Sequence, residues 1–525
     1  MDEISAFQTI KTPQNHLHLF CAETLRKISW AYIGWLFLAV FLSAFIFIHY
    51  QNRPDTSVRP SLYVYLLVFV THIFFRMKSN FHLNILSPEN MFILLYTLFH
   101  LGYVGLYGFG LAPYSERTFY YYSSIPKALF IVNLGFISFL MGYELLGSRC
   151  SAPRIPGPVQ RPNAGWCTFG LIFMVIGLTA HLVTIISIGI STFKMYGYGV
   201  FANIGKFAPP VIKYVWANSL HVMILGVVIY TISSALRYGK VFNSKLVLGL
   251  LIAYLSIVAM EGDRGPVLYL LAPVLLVRHY LIKPISVWVL VGILVVFFTL
   301  FTVIGPLVRN VQGAAFNPSK ILGLYRAQKA AGEITWMNPL FEMGGSFKIV
   351  NMVAEDVPSV EPYWYGASWR DAAFHIVPFL QGFAVNRGWG RIAPSMWLTY
   401  TYFGLSAAGT GFTMTAEGYL NFGYFGVFLE LFFFGAFTRW LAVRFSLRPC
   451  AMWGIIMVGC IGLSIMVIRN HTQVITQNLM KMFVMGFLLN KIIGNEPVYT
   501  GEYEPEIPYE SYLPVYDELE VETHT

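Results

Sequence analysis

The chain is predicted to be an all-α, polytopic membrane protein, with about 12 transmembrane helices and a long, partly helical loop on its outer side. Three observations predict it. The 525 residues are 56% hydrophobic and 17% aromatic. Only 12% are charged, against about 25% in a soluble domain. The apolar residues run in long stretches rather than in alternation, which excludes a transmembrane β-barrel along with a soluble enzyme or a disordered regulator.

Taken in order, the polar segment 1–27 comes first and shows no cleavable signal peptide. A span takes roughly 20 apolar residues. Nine candidates occupy 28–305, near 28–49, 61–77, 90–112, 125–146, 166–190, 214–236, 246–260, 266–282 and 285–305. Three more occupy 413–493, near 415–442, 451–468 and 479–493. An N-terminus inside puts Arg76/Lys78, Arg149/Arg154/Arg161, Arg237/Lys240/Lys245, Arg278/Lys283 and Arg439/Arg444/Arg448 in the cytoplasm. Long loops do not count in the Lys/Arg balance, and with 306–412 set aside it favours both termini inside.

Segment 306–412 then lies outside. It is too polar to span and too aromatic for a linker, with Trp336, Trp364, Trp369, Trp389 and Trp397. Short helices lying on the outer membrane face are expected there. The tail 494–525 is rich in Glu, Pro and Tyr with no Lys or Arg after Lys491. That composition cannot bury a core, so a disordered cytoplasmic tail is expected. The net charge of +9 is spread singly or in pairs, which excludes a nucleic-acid surface. The five cysteines show no metal-ligand spacing, and no disulfide is expected.

This orientation sorts the unusual polar residues onto one face. Glu261-Gly262-Asp263-Arg264-Gly265-Pro266 forms the outer turn between the seventh and eighth spans, and Arg309 follows the ninth. Glu417, Tyr419 and Asn421 open the tenth span, while Arg469-Asn470-His471 closes the eleventh. Ionisable groups at membrane depth are costly and tend to be functional. Arginine binds phosphate through a planar fork and keeps its charge. Arg264, Arg309 and Arg469 would therefore suit a lipid-linked diphosphate. Glu417 is the first candidate for a base that takes a proton from a sugar hydroxyl, with Asp263 and His471 in reserve. A helix N-terminus favours its ionised form. Trp364, Trp369, Arg370, Tyr419 and Asn421 are candidates for glycan contacts.

Each of these has a plainer reading. A span-end Arg is commonly a snorkelling anchor. Gly262-Asp263-Arg264-Gly265 can be a tight turn, Glu417 a helix-dipole partner, and the Trp residues an interface belt. His181 and Glu430 fall mid-span, where buried hydrogen bonding is the first expectation. There is no Asp-x-Asp before the tail, no His/Glu metal spacing, no phosphate-binding loop and no nucleophile elbow. A donor carried on a lipid needs none of them, and neither metal nor cofactor is expected.

Two stretches resemble a known family. Glu261-Gly262-Asp263-Arg264-Gly265-Pro266-Val267-Leu268 resembles the Gly-x-Arg-Gly turn of bacterial oligosaccharide repeat-unit polymerases, the Wzy-type O-antigen polymerases. The run Glu417-Gly418-Tyr419-Leu420-Asn421-Phe422-Gly423-Tyr424-Phe425-Gly426 resembles that family's Glu-x-Tyr-x-Asn-Phe-Gly-x-x-Gly stretch. The resemblance implies an inner-membrane glycosyltransferase working on undecaprenyl-diphosphate-linked units at the periplasmic face. Membrane lipids surround it, and a chain-length regulator protein is an expected partner. Some members carry loops with an Arg, ten residues and a Gly; here Arg370 misses that spacing by one, reaching Gly382. The expected activity is metal-independent, inverting transfer of the growing glycan from its carrier to the next unit. A lipid-linked glycan ligase and a glycan flippase or exporter are the alternatives. An exporter should show an internal repeat and charges reaching the midplane from both sides.

Overall fold

The computed structural model describes residues 30–78, 86–149, 161–196, 208–261, 265–299, 318–331, 338–376, 380, 392–404, 411–447 and 450–496. The first part of the chain is α1 (Trp30–Tyr50), α2 (Pro54–Lys78), α3 (Pro88–Gly108), α4 (Ile125–Arg149), α5 (Ala164–Ile188) and α6 (Pro210–Tyr238). Then come α7 (Lys245–Glu261), α8 (Gly265–Ile282), α9 (Val287–Thr299) and α10 (Pro318–Ala330). The last part is α11 (Gly345–Asp356), α12 (Ala367–Ile376), α13 (Pro394–Phe403), α14 (Met414–Leu447), α15 (Ala451–Val467) and α16 (Thr472–Ile493). Among the described residues the architecture is helical, with one two-residue bridge pairing Arg161 with Glu496 and Pro162 with Asn495.

Helices occur at all twelve apolar stretches, and among the described residues eight are long and apolar enough to cross a membrane: α1 to α6, α8 and α14. Described α9 has 13 residues, and α7 and α15 have 17 each. Local chemistry sets several ends. Ser87 caps α3 by accepting from the Asn90 N–H, and Pro88 fills its first turn. Gly239 ends α6 at φ +65°, a conformation that costs a glycine little.

Packing sorts these helices by depth. In α4, 89% of the apolar window is buried, against 28% in α1 and in α5. So α4 is the central post, while Phe41, Phe45 and Ile48 of α1 face outward as an exposed apolar stripe. One core joins α1 to α4 with α11 and the first part of α14. A second joins α5 to α8 with α15 and α16.

Glycines let the main helix pairs touch backbone to backbone. A Cβ on Gly142 of α4 would stand 1.9 Å from Phe432 O of α14, and one on Gly435 of α14 would stand 2.2 Å from Phe139 O of α4. The α5–α6 pair repeats this. A Cβ on Gly170 would meet Tyr230 N at 2.7 Å, and one on Gly226 would meet Met174 N at 2.7 Å. Hydrophobicity does not draw helices together inside lipid, so such close contact is a main source of association.

The segment expected to lie on the membrane face does form short helices. However, α11 is not superficial: Phe347, Val350, Met352 and Val353 are buried in the first core. Asn351 explains part of this, since its side chain donates to the Tyr121 carbonyl at 2.6 Å and accepts from Ser124 Oγ at 2.7 Å. At the other end of the bundle, Arg237 Nη1 donates to Pro162 O at 2.9 Å and Trp166 Nε1 to Gly494 O at 2.9 Å. The arginine-bearing ends of α5 and α6 thus meet the last turn of α16. Segments 1–27 and 497–525, including nearly all of the tail, lie outside the described residues.

Candidate functional site

The site is built on a broken helix. In α14 the backbone leaves helical geometry at Phe422 (φ −141°, ψ 26°) and Gly423 (φ +61°, ψ −142°). Only glycine accepts the second conformation without strain. The chain then folds back so far that a Cβ on Gly426 would sit 2.0 Å from Gly418 O. Gly418, Gly423 and Gly426 therefore make one tight reversal, and the expected tenth span is two helices. Residues 424–447 alone, at 1.5 Å per residue, reach about 36 Å. That is enough to cross a hydrocarbon core of about 30 Å, leaving 414–421 free to build a site.

The short first half is fastened by main-chain bonds. Thr413 Oγ1 accepts from Ala416 N at 3.0 Å, capping its start. The carbonyls of Leu420 and Asn421 at its end accept from Trp364 N at 2.9 Å and Tyr365 N at 3.0 Å. These two bonds bring α12 over the reversal.

Glu417 is completely buried there. Its Oε1 accepts from Ser368 Oγ at 2.6 Å and its Oε2 from the Thr472 N–H at 2.6 Å. Asn421 Nδ2 donates to Ser368 Oγ at 2.7 Å and to the Glu417 carbonyl at 3.0 Å. From the second half of α14, Glu430 accepts from Thr472 Oγ1 at 2.5 Å and borders both Glu417 and the Trp369 indole. The N-terminus of α16 thus presents its N–H to one carboxylate and its hydroxyl to the other.

His471, between α15 and α16, is buried beside His375. Burial pushes its imidazole down to about 4, so it is neutral at physiological pH. Arg469 is exposed at the end of α15, its guanidinium 5.8 Å from the centre of the Phe99 ring. Its carbonyl accepts from Phe412 N at 3.0 Å, which ties this turn to the start of α14.

The predicted glycan contacts separate by position. Trp369 is half-buried and lies 5.4 Å from the Phe422 ring, and the Arg370 side chain is 44% exposed. Both border the site. Trp364 is packed in the first core, donating to Glu361 at 2.7 Å and meeting Trp397 edge-on. Tyr419 is buried beneath Lys127, whose ammonium lies 5.2 Å from its ring centre. Asn421 points inward, as described. Asp263, Arg264 and Arg309 lie outside the described residues.

Of the two mid-span groups, His181 lies 2.5 Å from Glu261 and 3.3 Å from Ser219. It joins α5, α6 and the end of α7. Glu430 belongs to the site. Sequence reasoning missed Ser368, Thr472 and His375, and no local pattern marks them: Ser368 stands 49 residues from Glu417. Among the described residues, no group of three or more His, Cys, Asp or Glu gathers as a metal would require. Cys167 and Cys450 are buried free thiols.

The family description O-antigen polysaccharide polymerase Wzy matches residues 33–493, nearly the whole chain and all of the site. Searches of curated proteins and of solved structures find no match. The chain therefore belongs to the O-antigen polysaccharide polymerase Wzy family, membrane polymerases that build O-antigen from its repeat units.

Proposed function

We propose that the protein joins undecaprenyl-diphosphate-linked repeat units at the periplasmic face of the inner membrane, with Glu417 as the acceptor base. One contact carries this reading: a hydroxyl, Ser368 Oγ, rests 2.6 Å from a buried carboxylate oxygen. An acceptor sugar hydroxyl displacing Ser368 would inherit that hydrogen bond, and reach of this kind is the first requirement of a general base. The acceptor oxygen then attacks the anomeric carbon of the donor glycan. The carbon–oxygen bond to the diphosphate breaks, its electron pair leaves with the phosphate, and the proton passes to Glu417.

Other residues take supporting parts. Arg469, with Arg264 and Arg309, grips the departing diphosphate; Asp263 orients Arg264. Trp369 and Arg370 supply the outward glycan surface. Glu430 and Thr472 hold the base in place, and neutral His471 stands by it.

A base is worth about 10²–10⁴ in rate. Glu417→Gln is therefore expected to cut chain growth by about that factor at equal protein level, with lipid-linked units accumulating. Ser368→Ala should keep polymerising. Full-length polymer from Glu417→Gln would show that the base lies elsewhere. A deletion strain separates the activity classes. Single-repeat surface glycans mean polymerase, carrier-linked polymer never attached means ligase, and units trapped inside mean flippase.

A further inference from the structure

Glu417 and Glu430 are both buried, and both reach one residue, Thr472. Its N–H donates to Glu417 Oε2 at 2.6 Å, and its hydroxyl lies 2.5 Å from Glu430 Oε1. Among the described residues, neither carboxylate has a Lys or Arg within ion-pair distance. The charged groups of the surrounding elements are engaged elsewhere. On α12, Arg370 turns to Asp371 at 3.6 Å, and His375 Nδ1 meets the Asp371 carbonyl at 2.7 Å. Arg469 at the end of α15 lies over Phe99. Lys127 of α4 donates to the carbonyls of Ala354 and Val357, and Lys348 of α11 lies over the Tyr120 and Phe403 rings. On α3, His100 Nδ1 meets the Tyr96 carbonyl. On α16 itself, His471 is neutral, and Lys481 is nine residues from Thr472, about 13 Å away at 1.5 Å per residue. Two carboxylates that share a site without a cation titrate as a pair, and the pair holds on to a proton.

The hydrogen-bond roles say where that proton sits. Glu417 Oε2 faces a backbone N–H, which can only donate. Its Oε1 faces Ser368 Oγ, whose oxygen already accepts from Asn421 Nδ2 and which offers its own hydrogen to Glu417. Both oxygens of Glu417 are thus acceptors, as in an ionised carboxylate. Glu430 differs. Its Oε1 meets a hydroxyl, which can donate or accept, and its Oε2 is buried with no hydrogen-bond partner among the described residues. The Trp369 indole borders it, but its N–H makes no hydrogen bond. A buried charge with an unsatisfied oxygen is costly, and a neutral acid is much less so.

We propose that Glu417 and Glu430 share a single proton that rests on Glu430, which makes Glu430 the positioning residue that leaves Glu417 ionised. Its meaning for catalysis rests on the reading of Glu417 as the base. Glu430 touches no substrate and acts through Thr472. When the acceptor O–H bond breaks, its proton joins Glu417 and the pair holds two. One proton then passes to water before the next transfer.

The test uses purified full-length protein and infrared difference spectra. At about pH 7 the parent is expected to show a protonated-carboxyl carbonyl band that Glu430→Gln lacks. Glu430→Met gives the same reading should the amide variant misfold. In Glu417→Gln, with the neighbouring charge gone, the band should fade about one pH unit or more lower than in the parent. Thermal midpoints supply an independent sign. Unfolded, Glu430 ionises near about 4.3, whereas folded it keeps its proton. The stability it contributes is full below that pH and is lost as pH rises towards the folded value. From about pH 5 to about pH 8 the parent's midpoint should therefore fall more steeply than that of Glu430→Gln. A band that neither Glu430 variant removes would overturn the proposal, as would one that fades at the same pH with and without Glu417. So would a midpoint lowered equally at every pH in Glu430→Gln, the mark of a merely structural contact. None of these readings needs turnover, so they separate from the activity. If Glu430 carries the proton but Glu417→Gln still makes full-length polymer, the base assignment falls alone. If Glu417→Gln makes no polymer and Glu430 carries no proton, the shared proton falls alone.

Discussion

Asn421 shows how closely single residues are used in this site. Its amide holds Ser368 Oγ with one bond and the Glu417 carbonyl with another, and it is fully buried. Removing a buried partner costs about 1–3 kcal/mol. Asn421→Leu is expected to lose about that much, read as a lower thermal midpoint in detergent. Asn421→Asp should lose more, since it places another carboxylate beside Glu417 and Glu430. An aspartate variant as stable as the parent would show that the pocket of Glu417 and Glu430 tolerates a further carboxylate. At this scale the sequence was partly legible. Glu417 and His471 were visible because charge at a span end stands out. Ser368 and Thr472 were not, because a hydroxyl looks the same whether it faces lipid, water or a carboxylate 49 residues away.

For the helices, hydropathy located every apolar stretch but could not see the break in α14, since it measures composition and the reversal is made by backbone angles at Phe422 and Gly423. The glycine contacts were equally hidden. Their spacing is irregular, and only the partner helix shows that no methyl fits. Those contacts make a sharp prediction. Gly142→Ala pushes α4 off the Phe432 carbonyl of α14. Overpacking of this kind costs about 1–3 kcal/mol, and because α14 carries both glutamates, activity should fall with stability. Gly249→Ala in α7, where nothing lies within 4 Å, is the control and should be neutral or stabilising. A Gly142→Ala protein with normal thermal midpoint and normal polymer would show that the α4–α14 contact yields freely.

Among the described residues the two largest cores meet at the site. Glu417 comes from the first, α15 and α16 from the second, and α12 covers the junction. Since α16 runs from Thr472 beside Glu417 to Gly494 beside Trp166, the site and the Arg161–Arg237 cluster mark opposite ends. The Lys/Arg bias of the sequence favours the arginine end inside, so the site is expected to face out. In a background without the native cysteines, a cysteine at Ser319 is expected to react with an impermeant thiol reagent in intact spheroplasts, and one at Ser148 is not. Labelling at Ser148 alone would invert the orientation and move the chemistry to the cytoplasm. The membrane class was legible because the bilayer imposes it through composition. The two-core division was not, because every span looks alike until its neighbours are known.

The attachment of α12 to the broken helix has a consequence for genetic mapping. Trp364 and Tyr365 hold the reversal through their backbone N–H groups, while the Tyr365 ring itself is 73% exposed. An alanine scan trims side chains and leaves every N–H in place, so it would pass over position 365 and record a dispensable tyrosine. Proline erases the donor and cannot adopt the φ of +48° found there. In this enzyme a map drawn from alanine variants would omit a fastening of the site that a proline scan would detect.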